Sequence, residues 1–129
     1  MKESDRLKPV ARAVLAKIDS GELKGIYSST AAIQEIVFWF YNNRLLNDLT
    51  KSVNTLTHLR NIEWVALTPE ICQMASMLVK EFNISPFDAY HCSTAIFRDK
   101  VIVSTDHVYD KIKGITRIDP SALVKTTGF

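Results

Sequence analysis

The feature that most constrains this chain is the alternation, along its whole length, of helix-period apolar patterns with short runs of strand-forming residues. Residues 5 to 19 place Leu7, Val10, Val14, Leu15 and Ile18 at helical spacing, and Ser20-Gly21 closes the run. GIYSS at 25 to 29 reads as a strand, and Ser28-Ser29-Thr30 can cap a helix from about 30 to 41. A second amphipathic helix over about 45 to 60 uses Leu46, Leu49, Val53 and Leu56. IEWVAL at 62 to 67 is the next strand. Thr68-Pro69-Glu70 supplies cap, proline and acid for a helix to about Phe82, and Ser85-Pro86 opens another to about 98. VIVS at 101 to 104 predicts a strand, 106 to 109 a helical turn, and 115 to 118 a last strand before Asp119-Pro120. Helices separated by short strands predict an α/β domain with a parallel sheet covered on both faces.

No Gly/Ser linker, repeat or composition shift divides the 129 residues, a length that fits one domain able to bury a core without disulfides. An apolar share of 47% and a charged share of 23% exclude a disordered or fibrous chain. The longest apolar stretch, Ile36 to Tyr41, falls far short of the roughly 20 residues that cross a bilayer. The polar start MKESDRLK is unlike a signal peptide, so a cytoplasmic chain with no membrane span is expected. Cys72 and Cys92 sit in apolar helical patterns without CxxC spacing, which predicts two buried, reduced thiols rather than metal ligands. A net charge of +2 gives little of the electrostatic footprint of a strong nucleic-acid binder. Lys8, Arg12 and Lys17 share one helical surface and read as a solvated face.

Three acids carry the functional reading. A helix that precedes a strand in such a sheet runs antiparallel to it, so the start of the 86 to 98 helix meets the carboxyl end of the 101 to 104 strand. That brings Asp88 and Asp106 to one edge. Glu35 follows the 25 to 29 strand by one to two helical turns and reaches the same edge. Carboxylates gathered without a basic partner repel one another unless a cation lies between them, and their oxygens suit Mg²⁺ or Mn²⁺. Each acid also has a plainer use. Asp88 lies three residues after Ser85, the spacing of a capping box, and Asp106 has the position of a turn residue after a strand. Glu35 has apolar neighbours on both sides of its helix, which makes a surface ion pair a weaker account than pairing, protonation or metal binding.

SSTAAIQEI at 28 to 36, SPFDAYHCSTAI at 85 to 96 and VIVSTDHVYDKIKGITRIDP at 101 to 120 resemble, in order, the second, third and fourth acidic motifs of the PIN domains, which include the VapC-type ribonuclease toxins. The resemblance spans nearly the whole chain. It implies a three-layer α/β sandwich with a short, mainly parallel sheet and a metal-dependent endoribonuclease that hydrolyses RNA by a metal-activated water. It assigns Glu35, Asp88 and Asp106 to a Mg²⁺ or Mn²⁺ site, with Ser104 and Asp110 as supporting positions. His91 also matches a residue often found in the family, with no chemistry attached, and reads as a core or surface histidine. For toxin members the resemblance implies a homodimer and an antitoxin partner, with the region from Ile33 to Leu56 as the contact. One departure stands out. The family begins with a central strand bearing its first aspartate, and here the first helix already starts near Asp5. The expectation is therefore an N-terminally incomplete single domain over 1 to 129, with strands beside the gap left unpaired and with impaired activity.

Overall fold

The computed structural model describes residues 3 to 125, with side chains from 9 to 124. Six α-helices and four strands alternate: α1 (Glu3–Ser20), β1 (Ile26–Ser29), α2 (Ala31–Asn42), α3 (Leu49–Thr57), β2 (Ile62–Val65), α4 (Pro69–Phe82), α5 (Pro86–Ile96), β3 (Val101–Val103), β4 (Thr116–Ile118) and α6 (Pro120–Lys125). Two 3-10 turns, Leu46–Asp48 and His107–Lys111, complete the order. The α/β reading holds, with short parallel pairs flanked by helices.

Local chemistry explains most boundaries. Thr68 and Ser85 cap α4 and α5 by accepting the N–H of Ile71 and Asp88, and Pro69 and Pro86 follow at first-turn positions where a missing N–H costs nothing. Asn83 closes α4 in the left-handed region at φ 53°, which asparagine tolerates. The second predicted amphipathic helix is shorter than 45 to 60. Arg44 at φ 56° breaks the path out of α2, and Leu46–Asp48 forms a 3-10 turn before α3. At its far end the Thr57 hydroxyl and the His58 ring both use the Asn54 carbonyl, which ends the helical ladder. Helix α6 was not visible in the sequence pattern, since six residues are too few to show a period.

The main core joins α4 and α5 to β3 through Ala75, Leu78, Ile84, Ala89, Cys92, Ala95 and Ile102, with Tyr109 from the second 3-10 turn and Ile112 just after it. Ser93 is fully buried and donates to the Ile71 carbonyl at 2.7 Å, tying α5 to α4. Cys92 is buried as expected, and burial raises its thiol to about 11. Cys72 is exposed, against expectation. It lies one residue past Ile71, whose side chain takes the inward direction at the start of α4. Lys17 is not a solvated cation: its Nζ donates to the carbonyls of Leu123 and Val124 at the end of α6. The Lys8 side chain lies outside the described residues.

The expected single sheet is split. β1 pairs with β2 and β3 with β4, both in parallel, and β1 does not pair with β3. Helix α5 nevertheless packs against both β1 and β3. The Tyr27 hydroxyl, on β1, donates across the division to Asp99 Oδ1 at 2.5 Å, just before β3. This bond brings the starts of β1 and β3 together.

Candidate active site

Asp88 is fixed by the turn that starts α5. Ser85 Oγ accepts the Asp88 N–H at 3.3 Å and donates to Asp88 Oδ2 at 2.8 Å, so the capping use read from the sequence is real. It does not exhaust the carboxylate, because Oδ1 accepts the Tyr109 hydroxyl at 3.1 Å. That bond joins the start of α5 to the turn after β3. Asp106 likewise combines both readings: its N–H donates to Ser104 Oγ at 3.0 Å, and its Oδ1 accepts the Val108 N–H at 3.0 Å to cap the 3-10 turn.

Glu35 lies in the second turn of α2 with a half-exposed side chain, not enclosed by its apolar neighbours. The reason is that α2 leaves Val37, Phe38, Trp39 and Tyr41 exposed as well, so apolar sequence neighbours do not bury this face. Glu35 Oε1 accepts from His91 Nε2 at 2.8 Å, across the space between α2 and α5. His91 was assigned no role from the sequence. The available signal was its position three residues after Asp88, which puts both on one face of α5.

These groups share one cavity of about 630 Å³ that runs between β1 and β3 over α5. Glu35, Asp88, His91, Ser104, Asp106 and Tyr109 line it toward the carboxyl ends of the strands. This is where open α/β sheets bind ligands. Tyr109 is 4% exposed, and burial, then the charge of Asp88, push its phenol far above the ordinary value of 10.0. It stays a neutral donor to Asp88. Tyr109 was also missed in the sequence, since nothing in a lone tyrosine marks what its hydroxyl will meet.

Asp110 does not line the cavity. Its carboxylate accepts from Arg117 Nε at 2.9 Å and contacts His107 Nδ1 at 2.9 Å, and these two bonds, Arg117 first, hold its pKa below the ordinary 3.8. Arg117 in turn donates to the Ser104 carbonyl at 3.0 Å. Asp110 thus supports the frame of the β3 turn through Arg117.

The carboxylates of Glu35, Asp88 and Asp106 and the Ser104 hydroxyl suit a hard cation in kind, all being oxygen donors. They do not suffice in arrangement. Among the described residues no three His, Cys, Asp or Glu side chains come close enough to hold a metal ion. Glu35, Asp88 and Asp106 each spend at least one oxygen on a protein hydrogen bond.

The fold and site together define a parallel α/β protein with acids from three elements at the strand carboxyl ends. Within that class, the family model for the PIN domain matches residues 4–115, and the chain belongs to the PIN domain family, whose members are generally nucleases. No curated protein and no solved structure matched the chain. No helix among the described residues is long and apolar enough to cross a membrane.

Proposed function

We propose that this chain is the body of a VapC-type endoribonuclease, with Glu35, Asp88 and Asp106 as ligands for Mg²⁺ or Mn²⁺ and Ser104 as a supporting hydroxyl. The observation that carries this reading is the placement of three carboxylates, from α2, α5 and the turn after β3, on one cavity at the strand carboxyl ends. A bound divalent ion would supply charge stabilisation at a phosphodiester. The chain's own residues supply the positioning: Ser85 and Tyr109 hold Asp88, Ser104 holds the Asp106 backbone, and His91 holds Glu35. Because no three acids among the described residues come close enough together to hold an ion, the chain of 129 residues should bind metal weakly and cleave RNA poorly or not at all. Purified chain incubated with labelled RNA and Mn²⁺ tests the point. Robust cleavage abolished by Asp106→Asn would show that no further acid is required.

A second reading, a PIN-like interaction domain that has lost its chemistry, is favoured by one feature. Phe38, Trp39 and Tyr41 on α2 and Leu45 and Leu46 beyond it are exposed, an apolar surface suited to a homodimer mate or an antitoxin chain. Its signature is a chain whose melting temperature ignores Mn²⁺.

A further inference from the structure

The segment that carries Asp106 is held at both of its ends. At the start, all three polar groups of Ser104 are engaged: its N–H donates to Ile118 O at 3.0 Å, its carbonyl accepts from Arg117 Nη1 at 3.0 Å, and its hydroxyl accepts the Asp106 N–H at 3.0 Å. At the other end Asp110 is engaged at both oxygens, Oδ1 by Arg117 Nε and Oδ2 by His107 Nδ1, each at 2.9 Å. Arg117 therefore reaches both ends from one position on β4, and its Nη2 lies 3.0 Å from His107 Nδ1 between them. Among the described residues it makes no hydrogen bond to Asp106 itself. Asp106 is placed by what Arg117 grips on either side.

The strand register explains how the side chain arrives there. Arg117 is paired with Ile102 of β3, whose side chain belongs to the main core, so both take one face of the β3–β4 pair. The 3-10 turn packs against β4, and its Tyr109 enters the same core. The Arg117 side chain is left only 13% exposed, and a shielded cation is stable only where it is paired. Asp110 supplies that pair, with Asp119 at 3.9 Å from Nη1, so the positive charge is offset on the spot. A planar guanidinium holds a carboxylate and a carbonyl in a fixed relation, which the point charge of a lysine ammonium on its flexible stem does not.

We infer that Arg117 is a positioning residue of the candidate site: it brackets residues 104 to 110 and so fixes Asp106 and the Ser104 hydroxyl on the cavity wall. The bracket stands on its own geometry, and its effect on metal binding rests on the nuclease reading. The sign of that effect separates position from charge. A cation beside Asp106 repels a divalent ion, so a role by charge alone predicts tighter Mn²⁺ binding once Arg117 is neutralised. A role by position predicts the opposite, since losing a group that orients a metal ligand weakens binding about ten- to a hundredfold.

Residue-resolved amide exchange in the metal-free full chain reads the bracket directly. In Arg117→Gln the Asp106 and Val108 amides, which donate to Ser104 Oγ and Asp106 Oδ1, should exchange about tenfold faster. The Ser104 and Thr116 amides, which tie the β3 and β4 segments together, should keep their protection. Arg117→Lys keeps the charge but not the planar fork; it should behave as Arg117→Gln does, and it carries the same readouts if that variant fails to fold. Electron paramagnetic resonance should show Mn²⁺ affinity falling about ten- to a hundredfold in both. Equal acceleration at Ser104, Thr116 and Asp106 would reduce Arg117 to a strut of the strand pair, and wild-type exchange in Arg117→Lys would show that charge suffices; either result overturns the inference. Selective acceleration with no Mn²⁺ response from the wild type would leave the bracket standing and end the nuclease reading. Mn²⁺ bound by the wild type and equally or more tightly by Arg117→Gln would overturn the positioning role and leave the nuclease reading in place.

Discussion

Replacing Tyr109 with phenylalanine isolates the bond that joins the two ends of the candidate site. The ring is buried and remains in place in the variant, so packing is kept while the hydroxyl, and its 3.1 Å bond to Asp88 Oδ1, are removed. A hydrogen bond to a charged group contributes about 1.5 to 3 kcal/mol, and partial access of water to Asp88 lowers the expected loss to about 1 to 2 kcal/mol. At this chain length 1 kcal/mol moves the melting temperature by roughly 4 °C, so Tyr109→Phe should melt roughly 4 to 8 °C lower at pH 7. The difference should depend on pH in a fixed direction. The folded-state pKa of Tyr109 is raised, so its contribution is complete below the unfolded value near 10 and is lost as pH rises above it. The unfolded wild type gains about 1.4 kcal/mol per pH unit above 10 by ionising this phenol, a gain closed to the variant. Denaturant unfolding followed at pH 8, 10 and 11 should therefore show the gap between the two proteins shrinking above pH 10. A gap that stays constant to pH 11 would refute the assignment of a buried, neutral donor.

Acid should weaken the frame of the β3 turn. Asp110 has a lowered pKa, so its contribution is present above the unfolded value of 3.8 and lost as pH falls through the folded one. Melting temperatures of wild type and Asp110→Asn should differ at pH 7 and converge on acidification; parallel curves would show that Arg117 does not depend on this carboxylate. Ser85→Ala removes the α5 cap and one support of Asp88, and should cost about 1 kcal/mol by denaturant unfolding. No change in midpoint would mean that Asp88 holds its turn without the cap. Under native conditions a thiol reagent at pH 8 should label exposed Cys72 and spare Cys92, whose thiol is buried and raised to about 11. Equal labelling rates would place Cys92 outside the core.

Much of the fold was legible because its elements announce themselves locally. The Thr68-Pro69-Glu70 and Ser85-Pro86 entries marked α4 and α5 to the residue, since cap chemistry acts within one turn. The convergence of Asp88 and Asp106 followed from strand and helix direction. What escaped was decided by partners distant in sequence. Whether Cys72 or Ile71 turns inward depends on the rotation of α4 against α5, and a 3.6-residue period fixes that only to within a neighbouring position. The Glu35–His91 and Asp88–Tyr109 bonds span 56 and 21 residues, beyond any local pattern. The division of the strands into separate β1–β2 and β3–β4 pairs, with α5 packed against β1 and β3, was not visible in the local patterns either.

The central claim is that Glu35, Asp88 and Asp106 act on one shared ion. Mn²⁺ binding followed by electron paramagnetic resonance, on wild type and on Glu35→Gln, Asp88→Asn and Asp106→Asn, tests it most directly. One weak site lost or further weakened in each of the three variants is the predicted result. Equal Mn²⁺ affinity in all four proteins, or dependence on a single carboxylate, would contradict it.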